Sequence, residues 1–335
     1  MPRMAFRDRC RGHHPGRVRT PSSSHLANLD LNLLVSLREL LRERNVTRAA
    51  ARVGVTQPAA SAALSRLRRH FDDELLTRHN GSYVLTPLAA QLAEQVEGVC
   101  AAAERLFGTG RQFDPATTRR GFTLLLADYT IAVLGTALSS ALAVRAPGVE
   151  LRLRLVRESF TADIAETSRL IDGVVAPPSP RFDRPDLRSV ELFRDRWVLL
   201  LDAAHPAADD ELTPAVLAAL PWVVPFAPDR GFSTAVPMTR ELARLGIEPD
   251  TRVRVESYLG VPHLVAGTDR VALVQERLAR EVAPRLGLVV RECPASERAP
   301  AAAEIRERFW WHADLDGDPA HRWLRELLVE LGAGV

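Results

Sequence analysis

From Asp30 onward the apolar residues fall into a pattern that a compact bundle of three short helices satisfies. Leu33, Leu34, Leu37, Leu40 and Leu41 recur at i, i+1, i+4, i+7 and i+8, one stripe on a helix that Asp30 is placed to cap. A short second helix is expected from Thr47 to about Val53, packed through Ala49, Ala50 and Val53. Gly54 then supplies the left-handed backbone that ends a helix sharply. Thr56 is placed to cap a third helix, with Pro58 in its first turn, where a missing N–H costs nothing. Ala60, Leu64, Leu67 and Phe71 form the buried stripe of that helix. Pro58, Ala62, Ser65, Arg66 and Arg69 lie on its opposite face, with Gln57 and Ser61 flanking near the start. Helix, short helix, Gly-containing turn and polar-faced third helix make a helix-turn-helix. His79-Asn80-Gly81-Ser82 then separates two extended segments, a hairpin signal that adds a wing. Any small three-helix cap shares this periodicity, so the pattern alone leaves open whether the third helix meets DNA or another protein.

Charge is distributed in keeping with the first choice. Residues 1–82 carry 15 Arg against 7 acidic residues, a net of +8, which leaves −6 for residues 83–335. A basic quarter on an acidic remainder suggests that one end meets a polyanion. All 44 basic side chains are Arg, which together with abundant Ala reads as biased codon usage. Residues 1–25 have no periodicity and are rich in Arg, Pro, Gly and Ser, as expected of a disordered basic tail. That tail is read either as an arm adding non-specific phosphate affinity or as a solvated extension from an early start codon.

Thr86-Pro87 opens a further helix reaching roughly Phe107. Its Leu92, Val96, Val99, Ala103 and Leu106 alternate at four and three residues, a coiled-coil seam about two heptads long. Such a lone stripe needs a partner, and an identical one is on a second copy of the chain. Residues 108–115 read as a hinge. Residues 121–335 then alternate strand and helix. Strands are expected at 122–127, 149–156, 173–175, 187–193, 197–201, 222–224, 252–255, 271–274 and 306–311. Helices are expected at 130–144, 161–170, 235–245, 258–266 and from Pro319 to about Leu331. The alternation indicates α/β folding around mainly parallel sheets, in two series joined by two crossings. Two lobes with a ligand cleft between them follow.

Several classes are set aside. Cys10, Cys100 and Cys293 are odd in number, far apart and without His at metal spacing, so reduced thiols are expected and neither a disulfide framework nor a zinc site. The longest uncharged runs, residues 129–144 and 212–228, are short of the ~20 residues a membrane span needs. The first residues carry six Arg with no apolar stretch behind them, unlike a secretory signal, and the cytoplasm is the expected compartment. His312 and His321 lie in the closing strand and helix, where packing or hinge hydrogen bonds outweigh metal or acid–base chemistry, and His13-His14 lies in the tail. No Gly-x-Ser-x-Gly elbow, phosphate loop or His-Glu-x-x-His is present. No enzyme, cofactor or metal is expected.

Residues 47–71 (TRAAARVGVTQPAASAALSRLRRHF) resemble the LysR-type transcriptional regulators. The match includes Thr56-Gln57-Pro58-Ala59 and Ser61 opening the recognition helix, Leu76-Thr77-Arg78 after it, and Leu85-Thr86-Pro87 before the linker helix. Asp30-Leu31-Asn32-Leu33-Leu34, Gly267-Thr268-Asp269, Glu276-Arg277-Leu278-Ala279, Trp311-His312 and Asp318-Pro319-Ala320-His321-Arg322-Trp323-Leu324 are similar to one branch. That branch holds nodulation-gene activators and salicylate- and chlorophenol-responsive regulators. Departures are Leu88-Ala89 for a usual Ala-Gly, Asp72-Asp73 for a common Leu-Gly, and Ala62 where many relatives carry Arg.

The resemblance implies an α/β fold with an N-terminal winged helix-turn-helix (26–85) and a dimerising linker helix (86–108). A two-lobed effector domain of the type 2 periplasmic-binding-protein kind follows (118–335). It implies double-stranded DNA, a small-molecule inducer (an aromatic acid or phenol), further copies of the chain as dimer or tetramer, and RNA polymerase as partners. DNA contact would fall to the helix start at Thr56, where Gln57 can pair with adenine in the major groove and Pro58 and Ala62 can touch thymine methyls. Ser61, Ser65, Arg66 and Arg69 would add phosphate or base contacts, and Arg78 would do so from the wing. For Arg69 and Arg78 the plainer reading is solvated surface or ion pairing with Asp72, Asp73 or Glu74. For the inducer, Asp128, Tyr129 and Thr130 sit where a strand hands over to a helix N-terminus, an anion-favouring position. Asp128 fits an anion poorly there and would instead cap the helix or bind a hydroxyl. Arg157 is the candidate counter-ion, and Phe226 and Tyr258 are candidate aromatic walls, with core packing and surface exposure as the plainer readings. A second reading remains open: a ligand receptor whose N-terminal helices contact protein rather than DNA. A third, a cleft enzyme, has no motif behind it.

Overall fold

A computed structural model describes residue 30 and residues 32–79, 81–108, 113–156, 164–226, 237–294 and 304–335. The expected basic tail, Asn80 of the hairpin turn, Cys10 and Arg157 lie outside the described residues. Two compact units divide the chain, one within residues 1–96 and one within 97–335.

In the first unit α1 (Asn32–Glu43), α2 (Val46–Val53) and α3 (Gln57–Phe71) pack together through Leu37, Leu40, Leu41, Ala49, Ala50, Ala60, Leu64 and Leu67, all buried. The carboxylate of Asp30 accepts the Asn32 amide at 3.0 Å. Helix α2 starts one residue earlier than expected because Asn45 caps it, accepting the Arg48 amide at 3.0 Å. Gly54 ends α2 at φ 77°, and Thr56 caps α3 by accepting the Ala59 amide at 3.4 Å. Strands β1 (Leu76–His79) and β2 (Ser82–Leu85) pair antiparallel, with His79 opposite Ser82.

The α3–β1 turn uses left-handed backbone at two non-glycine residues, Asp72 (φ 50°) and Leu75 (φ 58°). Side chains hold that costly geometry. Arg68 donates to the Glu74 and Leu76 carbonyls at 2.8 and 3.0 Å. Asp73 accepts the Leu75 amide at 2.6 Å and the Thr86 hydroxyl at 2.7 Å. Thr86 in turn accepts the Ala89 amide at 3.1 Å in the first turn of α4 (Pro87–Gly108). Along the predicted seam of α4, Val96 is buried, whereas Val99 is 45% exposed.

In the second unit β3 (Gly121–Leu126) lies between β4 (Glu150–Leu155) and β5 (Gly173–Ala176), parallel to both. Helix α5 (Asp128–Arg145) covers the sheet and α6 (Ile164–Leu170) leads into β5. The next strand corrects an expectation. The two predicted strands at 187–193 and 197–201 are one continuous 16-residue strand, β6 (Leu187–Asp202). The charged triplet Arg194-Asp195-Arg196 reads as a break in sequence, but its side chains alternate in and out of an unbroken strand.

Helix α7 (Pro214–Ala219), the parallel pair β7 (Pro221–Pro225) and β8 (Asp250–Val255), and helices α8 (Pro237–Leu245) and α9 (Val261–Val265) follow. Strand β9 (Ala272–Gln275) and β10 (Leu288–Glu292) flank the second half of β6, and α10 (Glu276–Leu286) connects them. Strand β11 (Glu304–His312) returns along the first half of β6 and beside β5, and α11 (Pro319–Ala333) closes the chain. The order β10-β6-β11-β5-β3-β4, with β9 also on β6, makes one sheet shared by both lobes. It is mixed rather than mainly parallel, because β6 and β11 run antiparallel to every neighbour they pair with. The crossing is itself a strand, so the sheet continues through it.

Candidate functional site

In the first unit the candidate site is the outer face of α3. Its inner face is locked by Ala60, Ala63, Leu64 and Leu67, which leaves Gln57, Pro58, Ala62, Ser65, Arg66 and Arg69 exposed and Ser61 half-buried. Thr56 faces solvent as well, with its hydroxyl engaged in the cap. The Ser65 hydroxyl is turned back onto the Ser61 carbonyl at 3.0 Å. Arg66 pairs with Asp30 at 3.1 Å. Arg69 and Arg78 are exposed and make no ion pair with described residues; Glu74 is taken by Arg68 at 3.1 Å instead. The N-terminal turn of α3 therefore offers an amide, a proline ring and a methyl side by side, beside a guanidinium and with a second on the wing strand. These groups can meet base edges and phosphates.

In the second unit the candidate site lies where the lobes meet. Asp128 opens α5 and spans the lobes. One carboxylate oxygen accepts the amides of Tyr129 (2.9 Å) and Tyr258 (3.2 Å), and the other accepts the Ser257 hydroxyl (2.7 Å) and the Leu259 amide (3.1 Å). A carboxylate has about four acceptor positions, so the protein itself fills Asp128. Tyr129 is fully buried and donates its hydroxyl to Asp195, from the middle of β6. Burial and the neighbouring Asp195 push the Tyr129 phenol well above its ordinary range. Thr130 is fully buried, and its hydroxyl has no partner among the described residues. Phe226, at φ 50°, lies with its ring centroid 5.3 Å from that of Tyr258, which in turn lies 6.5 Å from Trp197. Asp128, Tyr129, Thr130 and Tyr258 are thus gathered at one place with Phe226 beside them.

Five further residues complete this place, and the sequence marked none of them as a site residue. Asp195 and Trp197 share the inward face of β6, while Arg194 and Arg196 point outward. Arg194 pairs with Glu191 (2.6 Å) and Glu304 (3.2 Å), and Arg196 with Glu276 and Glu292 (2.6 Å each). Arg196 holds the Glu276 carboxyl down at about 2. Glu307 sits on β11 opposite Phe193, one step from Ile305, which faces Asp195. Its burial, reinforced by nearby Asp195, pushes the carboxyl up to about 8. Gln275 ends β9 opposite Trp197. Arg277, from the first turn of α10, lies 3.9 Å from Asp195 and over the Phe193 ring at 5.9 Å. A cleft of ≈ 550 Å³ between β6 and α10 has Asp195 and Arg277 in its wall. A signal for Glu307 was present: in Glu304–His312 the alternation places it inward with Ile305 and Phe309.

His312 and His321 are both buried. His321 is buried, its Nε2 donating to the Asp172 carbonyl at 2.7 Å and its Nδ1 accepting from Arg325 at 3.0 Å. The His312 Nδ1 accepts the Asp314 amide at 3.2 Å. No helix among the described residues is long and apolar enough to cross a membrane.

Comparison with known proteins covers both units. Residues 31–90 match the family described as bacterial regulatory helix-turn-helix protein, lysR family, and residues 125–333 match LysR substrate binding domain. The HTH-type transcriptional regulator SyrM of Rhizobium meliloti is 33% identical over 308 residues, covering 90% of this chain and 88% of its own. The HTH-type transcriptional activator NahR of Pseudomonas putida is 31% identical over 306 residues, covering 91% and 98%. Among solved structures, a "probable transcriptional regulator" from Pseudomonas aeruginosa superposes with a TM-score of 0.70 at 28% identity, covering 90% of this chain and 97% of that one.

Proposed function

The chain belongs to the LysR-type transcriptional regulators, with a DNA-binding helix-turn-helix and an effector-binding domain, and on that premise we propose how its own residues divide the work. The observation that carries the proposal is the outer face of α3, where Gln57 and Pro58 stand exposed at a capped helix start. Gln57 reads a base edge, Pro58 and Ala62 meet thymine methyls, and Ser61 and Ser65 fit against the backbone or bases of the same groove. Arg69 and Arg78 hold phosphates, and Arg66 joins them by exchanging Asp30 for a phosphate oxygen. The winged unit comprises residues 26–85 and the linker helix 86–108. The exposed Val99 supports pairing of linker helices between copies, which gives a dimer, and dimers associate further into a tetramer. Dimeric heads call for a two-fold symmetric operator.

The effector domain, residues 118–335, binds a small-molecule inducer between its lobes, beside the start of α5. The aromatic side chains Tyr258 and Phe226 support an aromatic acid or phenol. Binding shifts the population of lobe arrangements and through it the spacing of the DNA-binding heads. The protein acts in the cytoplasm, turns over no substrate, and its activated form engages RNA polymerase. Gln57→Ala and Ser61→Ala, each checked for retained helicity by circular dichroism, test this directly. Loss of sequence preference with the fold intact is the expected result. Unchanged preference in both folded variants would favour the reading in which the N-terminal helices contact protein.

A further inference from the structure

One carboxylate oxygen joins three elements of the DNA-binding unit. Asp73, two residues past the end of α3, accepts the Leu75 amide at 2.6 Å and the Thr86 hydroxyl at 2.7 Å through the same Oδ1. Leu75 is fully buried and left-handed at φ 58°, and its carbonyl accepts the Thr86 amide at 3.1 Å. Thr86 passes the connection on. Its hydroxyl accepts the Ala89 amide at 3.1 Å, and its carbonyl accepts the Ala90 amide at 2.9 Å. From the other side Arg68, in the last turn of α3, donates to the Glu74 and Leu76 carbonyls. The end of the third helix, the base of the wing and the first turn of α4 therefore meet at Asp73.

The wing has little else to orient it among the described residues. After Leu76 every residue of β1 is exposed, and so is every residue of β2 before Leu85. A two-stranded hairpin is marginal by itself, and this one buries neither face, so its direction is set at its base by the backbone of residues 72–75. Asp72 and Leu75 hold left-handed backbone there without being glycine, a conformation that persists only where surrounding bonds over-determine it. The core of the three helices runs through residues such as Leu40, Ala50 and Leu64, all earlier in the chain than Asp73. Loosening the turn leaves that core whole and frees the wing. Arg78 stands two residues beyond Leu76, across the hairpin from Tyr83. The clamp thus decides where this guanidinium stands relative to Gln57 at the other end of α3.

We propose that Asp73 is a positioning residue for DNA reading: it fixes the wing against α3 so that Arg78 reaches a phosphate of the half-site that Gln57 reads. This rests on the reading that the α3 face binds DNA, and adds to it a residue that acts through Arg78 without touching DNA. Because both bonds fall on one oxygen, the clamp uses an acceptor at that point rather than a charge. Asparagine keeps such an acceptor, and alanine removes it.

A double-substitution cycle on the full-length protein tests this, by fluorescence anisotropy over a salt series with the intergenic DNA upstream of the protein's own gene. Arg78→Ala in the wild-type background should lower the log–log salt slope by about one. Asp73→Ala should lower it by the same amount, and adding Arg78→Ala should lower it no further, because the guanidinium is already out of reach. Two residues acting independently would instead add. Asp73→Asn should keep the wild-type slope and the full Arg78 effect, which a role for the charge would not allow. Gln57→Ala should still remove sequence preference in the Asp73→Ala background, as expected if α3 stays in place. If Asp73→Ala does not fold, Thr86→Val, which removes the hydroxyl arm of the clamp at nearly constant size, takes its place. Arg78→Ala lowering the slope by about one again in the clamp variant, Asp73→Asn behaving as alanine does, or a wild-type slope indifferent to Arg78 each overturns the proposal and leaves the reading of α3 standing. Wild-type protein with no preference for the upstream DNA over scrambled DNA overturns that reading and the proposal with it.

Discussion

Glu307→Gln is expected to stabilise the effector domain, and by an amount that grows with pH. The buried carboxyl of Glu307 is held at about 8 against an ordinary 4.5, chiefly by loss of water and secondarily by Asp195. A group whose proton is held more tightly in the folded state favours folding less and less as pH rises from its unfolded value through its folded one. At about 1.4 kcal/mol per tenfold change in proton affinity, the cost approaches about 5 kcal/mol once both states are ionised. Glutamine has nearly the shape of the protonated acid and no charge to desolvate. The difference between variant and wild type should therefore be small near pH 5 and grow by about 1.4 kcal/mol per pH unit until it levels off above about pH 8. Taking the difference cancels every other titrating group common to both proteins. Urea unfolding followed by tryptophan fluorescence is the assay, and it reads this unit alone. The five tryptophans, Trp197, Trp222, Trp310, Trp311 and Trp323, all lie beyond residue 96. Parallel curves for the two proteins between about pH 5 and 8 would refute the claim that Glu307 is buried without a partner.

Other consequences can be checked with the same material. His321 is held down to about 4 by burial, so its contribution is present above about pH 6.5 and is lost as pH falls towards 4. In Glu307→Gln, which lacks the opposing carboxyl effect, stability should drop by about 2 kcal/mol from pH 6.5 to 5, and a flat profile would count against a neutral, buried imidazole. Gly332→Ala would place a Cβ 2.4 Å from the Leu192 carbonyl oxygen. A loss of about 1–3 kcal/mol in the urea titration is expected as α11 shifts off β6. Arg69→Ala and Arg78→Ala should each reduce the log–log salt slope of DNA binding by about one while leaving sequence preference unchanged.

The DNA-binding half is legible in the sequence because local signals decide it. Gly54, Thr56 and Pro58 fix where α3 begins, and the four-and-three spacing of Ala60, Leu64 and Leu67 fixes which face is presented. What escaped there was held by side-chain-to-backbone bonds: Asn45 capping α2, and Arg68 and Asp73 holding the turn into the wing. The effector half is legible as alternating elements but not as a site. The strand that crosses between lobes was read as two, because a charged triplet in sequence cannot announce that Arg194 and Arg196 find acidic partners outward while Asp195 turns in to Tyr129. Asp128, Tyr129 and Thr130 were noticed for their place at a helix start. Their bonds reach Ser257, Leu259 and Asp195, some 65 to 130 residues away, and no local pattern carries that. Helix α10 and strand β10 were also missed. A helix carrying Pro284 near its end weakens the periodic signal.

The central claim is that the α3 face reads a DNA sequence. Fluorescence anisotropy with the intergenic DNA upstream of the protein's own gene, against scrambled DNA of equal length and at two salt concentrations, tests it most directly. Preference for the upstream DNA that survives raised salt, and that Gln57→Ala removes, is the predicted result. Equal binding to both sequences that collapses together as salt rises, in wild type and variant alike, would contradict it.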